Sequence, residues 1–428
     1  MNEKKSNIGQ QPIRDARTLG IPKMLILGLQ HMFAMFGATV LVPILVQSYG
    51  LPLSIQTTLF FAGIGTLFFH VCTKMKVPAF LGSSFAFLGG FAAMGAMDQG
   101  IYAAMDASEK LQYACGGIVA AGLLYVVLAA IIKAVGVHRV MHFLPPVVTG
   151  PIIILIGLNL APSAVSNAST CWWLALVAMA IIIVANIWGK GMIKIIPILL
   201  GVGGAYIVAL IAGKVDFSTM EGVAIVGLQP FFTDFGGSIA KFDISATVGE
   251  NFIEDPGLHR TLIGDGIATS LSALFGGPAN TTYGENTGVL VLSKVHDPRV
   301  IRLAAVYALV LSFSPWFAAF INSIPAAIIG GVSFILYGMI SAIGVRNVVE
   351  NQVDFTNSRN LIIAAVILVC GLGFTGGLTF QVGGASITLT SLAIAAIAGI
   401  ILNAILPGND FHFGKSANSD ASANLGQY

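Results

Sequence analysis

The chain has 428 residues, of which 56% are hydrophobic and only 9% are charged. A soluble domain carries about 25% charged residues, so this composition excludes an ordinary soluble protein and predicts an integral membrane protein of many helices. The net charge of +2 gives no support for a nucleic-acid partner. The cysteines lie far apart in or beside apolar runs, which favours small buried side chains over disulfides or a metal site. They are Cys72, Cys115, Cys171 and Cys370.

The first half of the chain consists of a polar tail followed by seven apolar runs. Residues 1–23 are basic and have no cleavable signal pattern, so they are predicted to form a cytoplasmic tail. Each run is close to the roughly 20 residues that a membrane crossing needs. Basic residues in alternate turns mark the cytoplasmic side, and acidic residues between them mark the outer side. The predicted spans are 24–48, 52–73, 79–97, 112–133, 141–164, 170–188 and 191–213.

The second half holds one apolar run fewer. Its predicted spans are 261–276, 281–295, 300–322, 326–345, 360–376 and 386–406. Between the acidic loop at Asp234 and the basic turn at Lys294 the chain must cross an odd number of times, yet only two candidate spans lie there. The second half is also about 40 residues shorter than the first, whereas inverted halves should match in length. One crossing is therefore predicted to be absent.

Two Pro-led segments interrupt the apolar runs at corresponding positions of the two halves. They are residues 78–90, PAFLGSSFAFLGG, and residues 278–289, PANTTYGENTGV. Glycine-interrupted polar backbone at membrane depth survives only where it is buried in protein or lines a cavity, and a matched pair of interruptions points to a transporter site. We expect each segment, within 79–97 and 281–295, to form a few extended residues followed by a half-helix. The alternative for the second segment is a loop outside the membrane.

Four titratable residues lie within apolar surroundings. A carboxylate such as Glu285 costs about 2.5–3.5 kcal/mol to insert, so it is usually functional and paired. His31 and His70 titrate nearest to neutral pH, and His70, near the end of a span, is interpreted as interfacial. Asp265, on the candidate span 261–276, needs a partner if it is buried.

Six motifs spread over nearly the whole chain resemble one transporter family. They are QHMFAMFGAT (30–39), PAFLGSSFAF (78–87), DPGLHR (255–260), NTTYGEN (280–286), IPAAIIGG (324–331) and LYGMISAIG (336–344). Together they resemble the nucleobase–cation symporter (nucleobase–ascorbate transporter) family, and within it the bacterial uracil permeases. The Tyr-Gly-Glu-Asn form at 283–286 is similar to the uracil branch, because purine members more often carry Gln-Asn there.

The resemblance implies an all-α polytopic membrane protein of the 7+7 inverted-repeat transporter type, with half-helices and short β-strands at spans 3 and 10. Spans 1–4 and 8–11 would form a core domain, and spans 5–7 and 12–14 a gate domain through which a homodimer is possible. With span 8 missing, about 13 spans are expected. The implied division is a cytoplasmic tail (1–23), the first core segment (24–133), the first gate segment (141–213), an extracellular loop with the span-8 junction (214–257), the second core segment (258–322), the second gate segment (326–406) and a polar C-terminal tail (407–428).

The resemblance also implies a site for a nucleobase between the two half-helices. The positions that match substrate-binding residues are Ala38, Phe85, Tyr283, Gly284 and Glu285, and those that match supporting or proton-coupling residues are His31 and Asn286. Uracil offers two N–H donors and two carbonyl acceptors. The Glu285 carboxylate would accept N–H bonds, backbone N–H groups near Phe85 and Gly284 would donate to the carbonyls, and the aromatic faces of Phe85 and Tyr283 would pack on the ring.

One departure from the family pattern coincides with the missing crossing. The eighth span of the family carries a Glu-His-x-Gly signature whose glutamate also binds the base, and nothing in this chain matches it. The chain passes from Ala246 to Thr247 into a stretch that resembles the loop after that span. The predicted deletion therefore lies at this junction, and it would remove the second acid of the site.

The implied function is uracil:proton symport across the bacterial cytoplasmic membrane by alternating access, with uracil, a proton and the lipid bilayer as partners and with no cofactor, metal or nucleic acid. The alternatives are a transport-defective, internally deleted relative and a purine (xanthine-type) permease. A structural membrane protein, an anion carrier or a channel would be a different class; Glu285 disfavours an anion site. The sequence lacks a catalytic constellation such as His-Glu-x-x-His, so an enzyme is not expected.

Overall fold

The computed structural model describes the chain in segments, and it is almost entirely helical. The described residues are 13–98, 100–136, 139–140, 142–190, 192–227, 258–283, 286, 289–290, 293, 295–374, 377–382 and 385–408. The helices of the first half are α1 (Ile21–Ser48), α2 (Ile55–Cys72), α3 (Leu88–Ala96), α4 (Ala107–Val135), α5 (Pro146–Ser169), α6 (Trp172–Ile187) and α7 (Pro197–Ile211). Those of the second half are α8 (Leu258–Leu274), α9 (Pro298–Ser312), α10 (Pro315–Asn322), α11 (Ala326–Glu350), α12 (Ser358–Gly373) and α13 (Ser391–Ile405).

Many of these helices are long or apolar enough to lie in a membrane. Five of the described helices, α1, α2, α4, α5 and α11, are each long and apolar enough to cross it alone. α6, α7, α12 and α13 are equally apolar but have only 15 or 16 residues each. Large apolar side chains on their outer faces are exposed, as on α6, where Leu176 is 57% and Val184 54% exposed. A surface of this kind is expected where lipid, not water, surrounds the protein.

The predicted span 300–322 is not one continuous helix, so the prediction of a single helix there was wrong. α9 ends at Ser312, α10 begins at Pro315, and the two axes differ by 87°. Pro315 has no backbone N–H and cannot continue the helix, while the Ser314 hydroxyl accepts a hydrogen bond from the Phe317 N–H at 3.2 Å and caps the new one. A similar break at Ile196, before Pro197, separates α7 from the short helix Met192–Ile195 within the predicted span 191–213.

Small residues let the longest helices approach closely. α5 packs along α11, where a Cβ on Gly344 would lie 2.6 Å from the Ile154 N atom and 2.7 Å from the Gly150 carbonyl oxygen. Small residues are enriched at helix interfaces in membranes because lipid tails provide no hydrophobic driving force and close packing must replace it. α4 and α8 are joined in a comparable way, and the Ser270 hydroxyl donates to the Val119 carbonyl at 2.9 Å.

Two short antiparallel strand pairs complete the described structure. β1 (Leu81–Ser83) pairs with β2 (Asn280–Thr282), although about 200 residues of chain separate them. β3 (Leu378–Val382) and β4 (Ala385–Leu389) form a local hairpin between α12 and α13. The first pair lies inside the helical bundle, since Leu81, Gly82, Ser83 and Asn280 are all buried.

Candidate functional site

The crossing of β1 and β2 brings the two interrupted segments together. The register places Gly82 opposite Thr281, with Leu81 opposite Thr282 and Ser83 opposite Asn280. The pairing continues one residue further at each end, because the Ser84 N–H donates to the Ala279 carbonyl at 2.8 Å and the Tyr283 N–H donates to the Phe80 carbonyl at 2.9 Å. The two Pro-led segments are therefore one structural unit, in the interior of the protein.

Two threonine hydroxyls hold the outer edges of this strand pair. The Thr66 hydroxyl on α2 accepts from the Leu81 N–H at 2.8 Å and donates to the Leu81 carbonyl at 3.2 Å. The Thr269 hydroxyl on α8 makes the same two bonds with Asn280, each at 3.1 Å. Buried backbone groups need partners, and a two-stranded pair leaves both of its outer edges unpaired. Each threonine thus satisfies one N–H and one C=O that no third strand reaches.

The first segment forms the predicted extended piece followed by a half-helix. Ser84 is extended, with φ −84° and ψ 124°, residues Phe85–Phe87 form a 3-10 turn, and α3 follows directly. The first residues of this half-helix have no side-chain cap. Its first N–H groups and the positive end of its dipole therefore lie at the strand crossing, where an acceptor group of a ligand would be favoured.

The second segment follows the same pattern as far as the structure describes it. Strand β2 is followed by Tyr283, and the described residues Asn286, Val289, Leu290 and Ser293 are helical. Residues 284 and 285, the Gly and Glu of the motif, lie outside the described residues, as do 287, 288, 291, 292 and 294. The extended piece of the second segment is therefore confirmed, and the half-helix is described at individual positions.

Three of the predicted substrate-binding residues lie around the crossing. Ala38 is fully buried in α1, the helix that packs beside β1. Phe85 is half-buried at the start of the half-helix, and Tyr283 is 6% exposed directly after β2. Gly284 and Glu285 were also predicted to line this site, and both fall outside the described residues.

His31 and Asn286 are in contact. The Asn286 side-chain Nδ2 donates to the His31 carbonyl oxygen at 3.0 Å and lies 3.2 Å from His31 Nδ1. Both residues are fully buried, and His31 Nε2 and Asn286 Oδ1 have no hydrogen-bond partner among the described residues. This pair ties α1 to the helical residue that follows Glu285 in the sequence.

Several polar residues of this region were not predicted to belong to it. The Asn280 side-chain Nδ2 donates to the carbonyls of Ala268 at 3.2 Å and Phe61 at 3.4 Å, which joins β2 to both α8 and α2. Thr66 and Thr269 stand within apolar helices, where a threonine is most simply interpreted as a neutral helix residue. The sequence does show a threonine on the helix that precedes each Pro-led segment. A single sequence does not show that the hydroxyl of such a threonine binds the backbone of a strand.

The interpretation of His70 as interfacial was wrong. It is fully buried in α2, and its Nε2 lies 3.0 Å from the Ala79 carbonyl oxygen, just before β1. Asp265 on α8 is also buried, and its Oδ1 has no hydrogen-bond partner among the described residues. The helices that flank the strand pair, α2 and α8, therefore each carry a buried titratable residue, a type that is rare inside membrane spans.

Comparison with known proteins agrees with this geometry. The profile of the Permease family (Xan_ur_permease) matches residues 22–248 and 238–379 in two stretches. The chain is 41% identical to a uracil permease of Bacillus caldolyticus, over 92% of this chain and 94% of that protein, and 39% identical to a uracil permease of Bacillus subtilis, over 95% and 97%. It is 38% identical to a putative pyrimidine permease, RutG, of Escherichia coli, over 89% of each chain.

Solved structures show the same fold at low sequence identity. The transmembrane domain of a cyanobacterial bicarbonate transporter, BicA, superposes with a TM-score of 0.53 at 16% identity, covering 92% of this chain and 99% of that chain. SLC26A9 superposes with a TM-score of 0.58 at 10% identity, covering 91% and 65%. The predicted fold class, a polytopic helical membrane protein of the 7+7 inverted-repeat type, is confirmed. By the extent and level of these matches, the chain is a multi-pass membrane protein that belongs to the Permease family.

Proposed function

We propose that this protein is a uracil permease that imports uracil across the bacterial cytoplasmic membrane by alternating access, coupled to protons. The observation that carries the proposal is the pairing of β1 with β2, which brings Tyr283, the first residue of the Tyr-Gly-Glu-Asn motif, against Ser83, just before the uncapped start of the first half-helix. The relatives named uracil permeases share 39–41% identity over more than nine-tenths of the chain, which supports the same substrate class. These relatives are named as permeases, in agreement with a transport protein and not an enzyme.

The proposed contacts follow from the chemistry of uracil. Backbone N–H groups at the start of the half-helix near Phe85 would donate to a uracil carbonyl, with the helix dipole adding to their strength. The Glu285 carboxylate would accept ring N–H bonds, and Gly284 would allow its backbone to approach the ring without a Cβ. Ala38, with its small side chain on the flanking helix α1, would leave room for a flat ring.

Proton coupling would involve the carboxylate and its neighbours. A carboxylic acid that loses its hydration in a closed site favours the protonated form, so Glu285 can exchange a proton between the open and closed states. Asn286, the next residue, holds His31 through two contacts. His31 Nε2 and Asn286 Oδ1 lack partners among the described residues, and in this proposal they would pass a hydrogen-bond change from the acid to α1.

Uptake of radiolabelled uracil tests the proposal in a bacterium that lacks its own uracil transport. We expect uptake that a protonophore abolishes, complete loss with Glu285→Ala, and at least a tenfold loss of uracil affinity with Glu285→Gln, which keeps one acceptor oxygen but not the charge. Glu221→Gln, at an exposed position after α7, is the matched control and should leave uptake unchanged. Unchanged uracil affinity in Glu285→Gln would remove this residue from the site, and competition by xanthine in place of uracil would favour the purine alternative.

A second candidate is a transport-defective, internally deleted relative, and one observation favours it. The family profile matches in two separate stretches that overlap over residues 238–248. This overlap contains the Ala246–Thr247 junction. Residues 228–257 lie outside the described residues, so support for this candidate comes from the matches and from the charge pattern. Uptake by the present chain should be compared with uptake after insertion of a roughly 20-residue apolar span at this junction. A large gain on insertion supports the deletion, and robust uptake without it argues against this candidate.

A further inference from the structure

Tyr283 breaks the symmetry of the strand crossing. Its N–H and the Ser84 N–H occupy equivalent places, since each donates to the opposite segment one residue beyond the paired strands. At Ser84 the side chain is small. At Tyr283 it is a large ring that folds back over β1, where a Cβ on Gly82 would overlap the ring atoms Cε2 and Cζ. Only glycine at position 82 leaves space for the ring in this place.

The Tyr283 hydroxyl ends a short chain of buried hydrogen bonds. It donates to the Ser83 carbonyl oxygen at 2.8 Å and lies 3.2 Å from the Ser83 hydroxyl. The Ser83 hydroxyl in turn donates to the Thr39 carbonyl oxygen on α1 at 2.8 Å. Ser83 and Thr39 are fully buried and Tyr283 is 6% exposed. Because a tyrosine hydroxyl has one hydrogen, the Ser83 carbonyl is the acceptor that orients it.

Each residue in this chain of bonds stands next to a residue of the proposed site. Thr39 follows Ala38, Ser83 precedes Phe85 by two residues, and Tyr283 precedes Glu285 by two residues. The three residues come from α1, from the end of β1 and from the position directly after β2. A movement of the Tyr283 ring would therefore act on all three segments at once.

We propose that Tyr283, Ser83 and Thr39, with Gly82 beneath the ring, form a positioning clamp that fixes the residue after β2 against the end of β1 and against α1, the segments that lead into the proposed site. This inference rests on the proposed function, and it assigns to the Tyr283 hydroxyl a positioning role that adds to the predicted place of this residue in the site. Binding sites require such support, because a shift of a fraction of an ångström in the ligand groups weakens every contact together.

The first test removes one oxygen atom. Tyr283→Phe keeps the ring over Gly82 but loses the bond to Ser83, and we expect at least a tenfold weaker equilibrium affinity for uracil in purified protein. Tyr206→Phe is the matched control, because its buried hydroxyl lies 2.7 Å from the Ser323 hydroxyl and far along the chain from the crossing. Both variants lose one buried hydroxyl contact and should show a similar decrease in melting temperature. Equal uracil affinity in Tyr283→Phe and Tyr206→Phe would overturn the clamp.

The second test uses the overlap between position 82 and the ring. Gly82→Ala should displace the Tyr283 ring and weaken uracil binding at least tenfold, and Tyr283→Leu should do the same by removing it. If both act through one clamp, the double variant binds uracil no more weakly than the worse single variant. If the double variant loses uracil affinity by the product of the two single losses, the two residues do not act through a shared clamp. Ser83→Ala, which removes the hydroxyl contacts to Thr39 and Tyr283 but keeps the Ser83 carbonyl that accepts from Tyr283, is the milder variant if Tyr283→Leu does not fold.

A third measurement separates failure of the clamp from failure of the proposed function. Hydrogen–deuterium exchange of the peptide covering residues 78–90 needs no substrate, and Tyr283→Phe should raise it while Tyr206→Phe should not. If the unmodified chain binds no uracil, the proposed function fails and this exchange result alone decides the clamp. Unchanged exchange in Tyr283→Phe would overturn the clamp whatever the substrate.

Discussion

The α2–β1 region and the α8–β2 region are built alike and yet offer different chemistry. In both, a threonine in the middle of a helix holds the N–H and C=O of one strand residue, Leu81 in the first and Asn280 in the second. The strand residues themselves differ, because the Asn280 amide makes two more bonds whereas Leu81 has an apolar side chain. The shared positions satisfy the backbone, and the positions that differ decide how each strand is tied to the helices around it.

The surroundings of the two strands also differ. α1 packs beside β1 and supplies Ala38, Thr39 and His31 to the crossing. Beside β2, the described residues contain no counterpart of α1. The comparison teaches that an inverted repeat supplies a scaffold twice, while the site is made by what each half adds to it.

Removing the hydroxyls of both Thr66 and Thr269 should have the largest effect on the fold. Thr66→Val and Thr269→Val keep the shape of the side chain but leave a buried N–H and C=O unpaired, each at about 1–3 kcal/mol. We expect the two single variants to lower the melting temperature in detergent by similar amounts, and the double variant not to yield folded protein. Thr66→Ser and Thr269→Ser retain the hydroxyl and serve as controls. A large effect at one threonine and none at the other would break the proposed equivalence of the two regions.

Asn280→Ala should have an intermediate effect, and it tests the first difference between the regions. The substitution removes the two amide bonds to the Phe61 and Ala268 carbonyls but retains the backbone bonds to Thr269, so we expect a loss of about 1–2 kcal/mol of unfolding free energy. Leu81→Ala is the comparison in the other half, where only apolar packing is lost. Chemical denaturation in detergent, with uracil affinity measured in parallel, distinguishes a loss of stability from a loss of the site. An unchanged unfolding free energy for Asn280→Ala would show that these bonds do not stabilise β2.

Variants that break the contact between His31 and Asn286 test the contribution of α1 to uracil uptake. His31→Ala and Asn286→Ala should each slow uracil uptake with a small change in stability, since each removes the same side-chain contact. Because Asn286 Nδ2 also donates to the His31 backbone carbonyl, Asn286→Ala should be the more damaging. In a double-mutant cycle the two effects should not multiply. Independent effects on the uptake rate would show that the two residues act separately.

The smallest effect is expected at the N-terminal segment, which docks on the second half. Asp15 accepts from Arg299 at 2.6 Å, and the Ala16 N–H donates to Asp297 at 2.7 Å. The hydrogen bonds from Arg17, together with the charge of Arg299, hold the pKa of the Asp15 carboxyl well below its usual range. A lowered folded-state pKa stabilises the fold above the ordinary aspartate pKa of about 4, and this stabilisation is lost as the pH falls below it.

Asp15→Asn should therefore lower the melting temperature slightly at pH 7, and by progressively less as the pH falls from 4 toward 2. The shift should be smaller than for any variant above, because ion pairs exposed to solvent contribute little and are screened by salt. Measurement at low and high salt provides the control. A decrease in melting temperature as large as that of Thr66→Val would mean that the N-terminal segment is as important to the fold as the Thr66 hydroxyl.

The sequence by itself determined the class of protein and the positions of the two interrupted segments. Low charge and long apolar runs predicted the membrane helices, and Pro78 and Pro278 with their small, glycine-rich followers predicted that two spans would be interrupted. These features are local, because proline and glycine act on the backbone within a few residues of where they stand. The break at Pro315 was equally local in origin. The Ser-Pro pair at 314–315 was its signal in the sequence, and the prediction of the span 300–322 did not use it.

The tertiary structure decided which groups meet. Nothing near Thr66 or Thr269 in the sequence marks either residue as the partner of a strand edge, and β1 meets β2 across about 200 residues of chain. The buried position of His70 and the fold of the Tyr283 ring over Gly82 were likewise decided by packing. The physical reason is that a buried polar group takes whichever partner the packed helices bring within about 3 Å, and that choice depends on the whole arrangement of helices instead of on neighbouring residues.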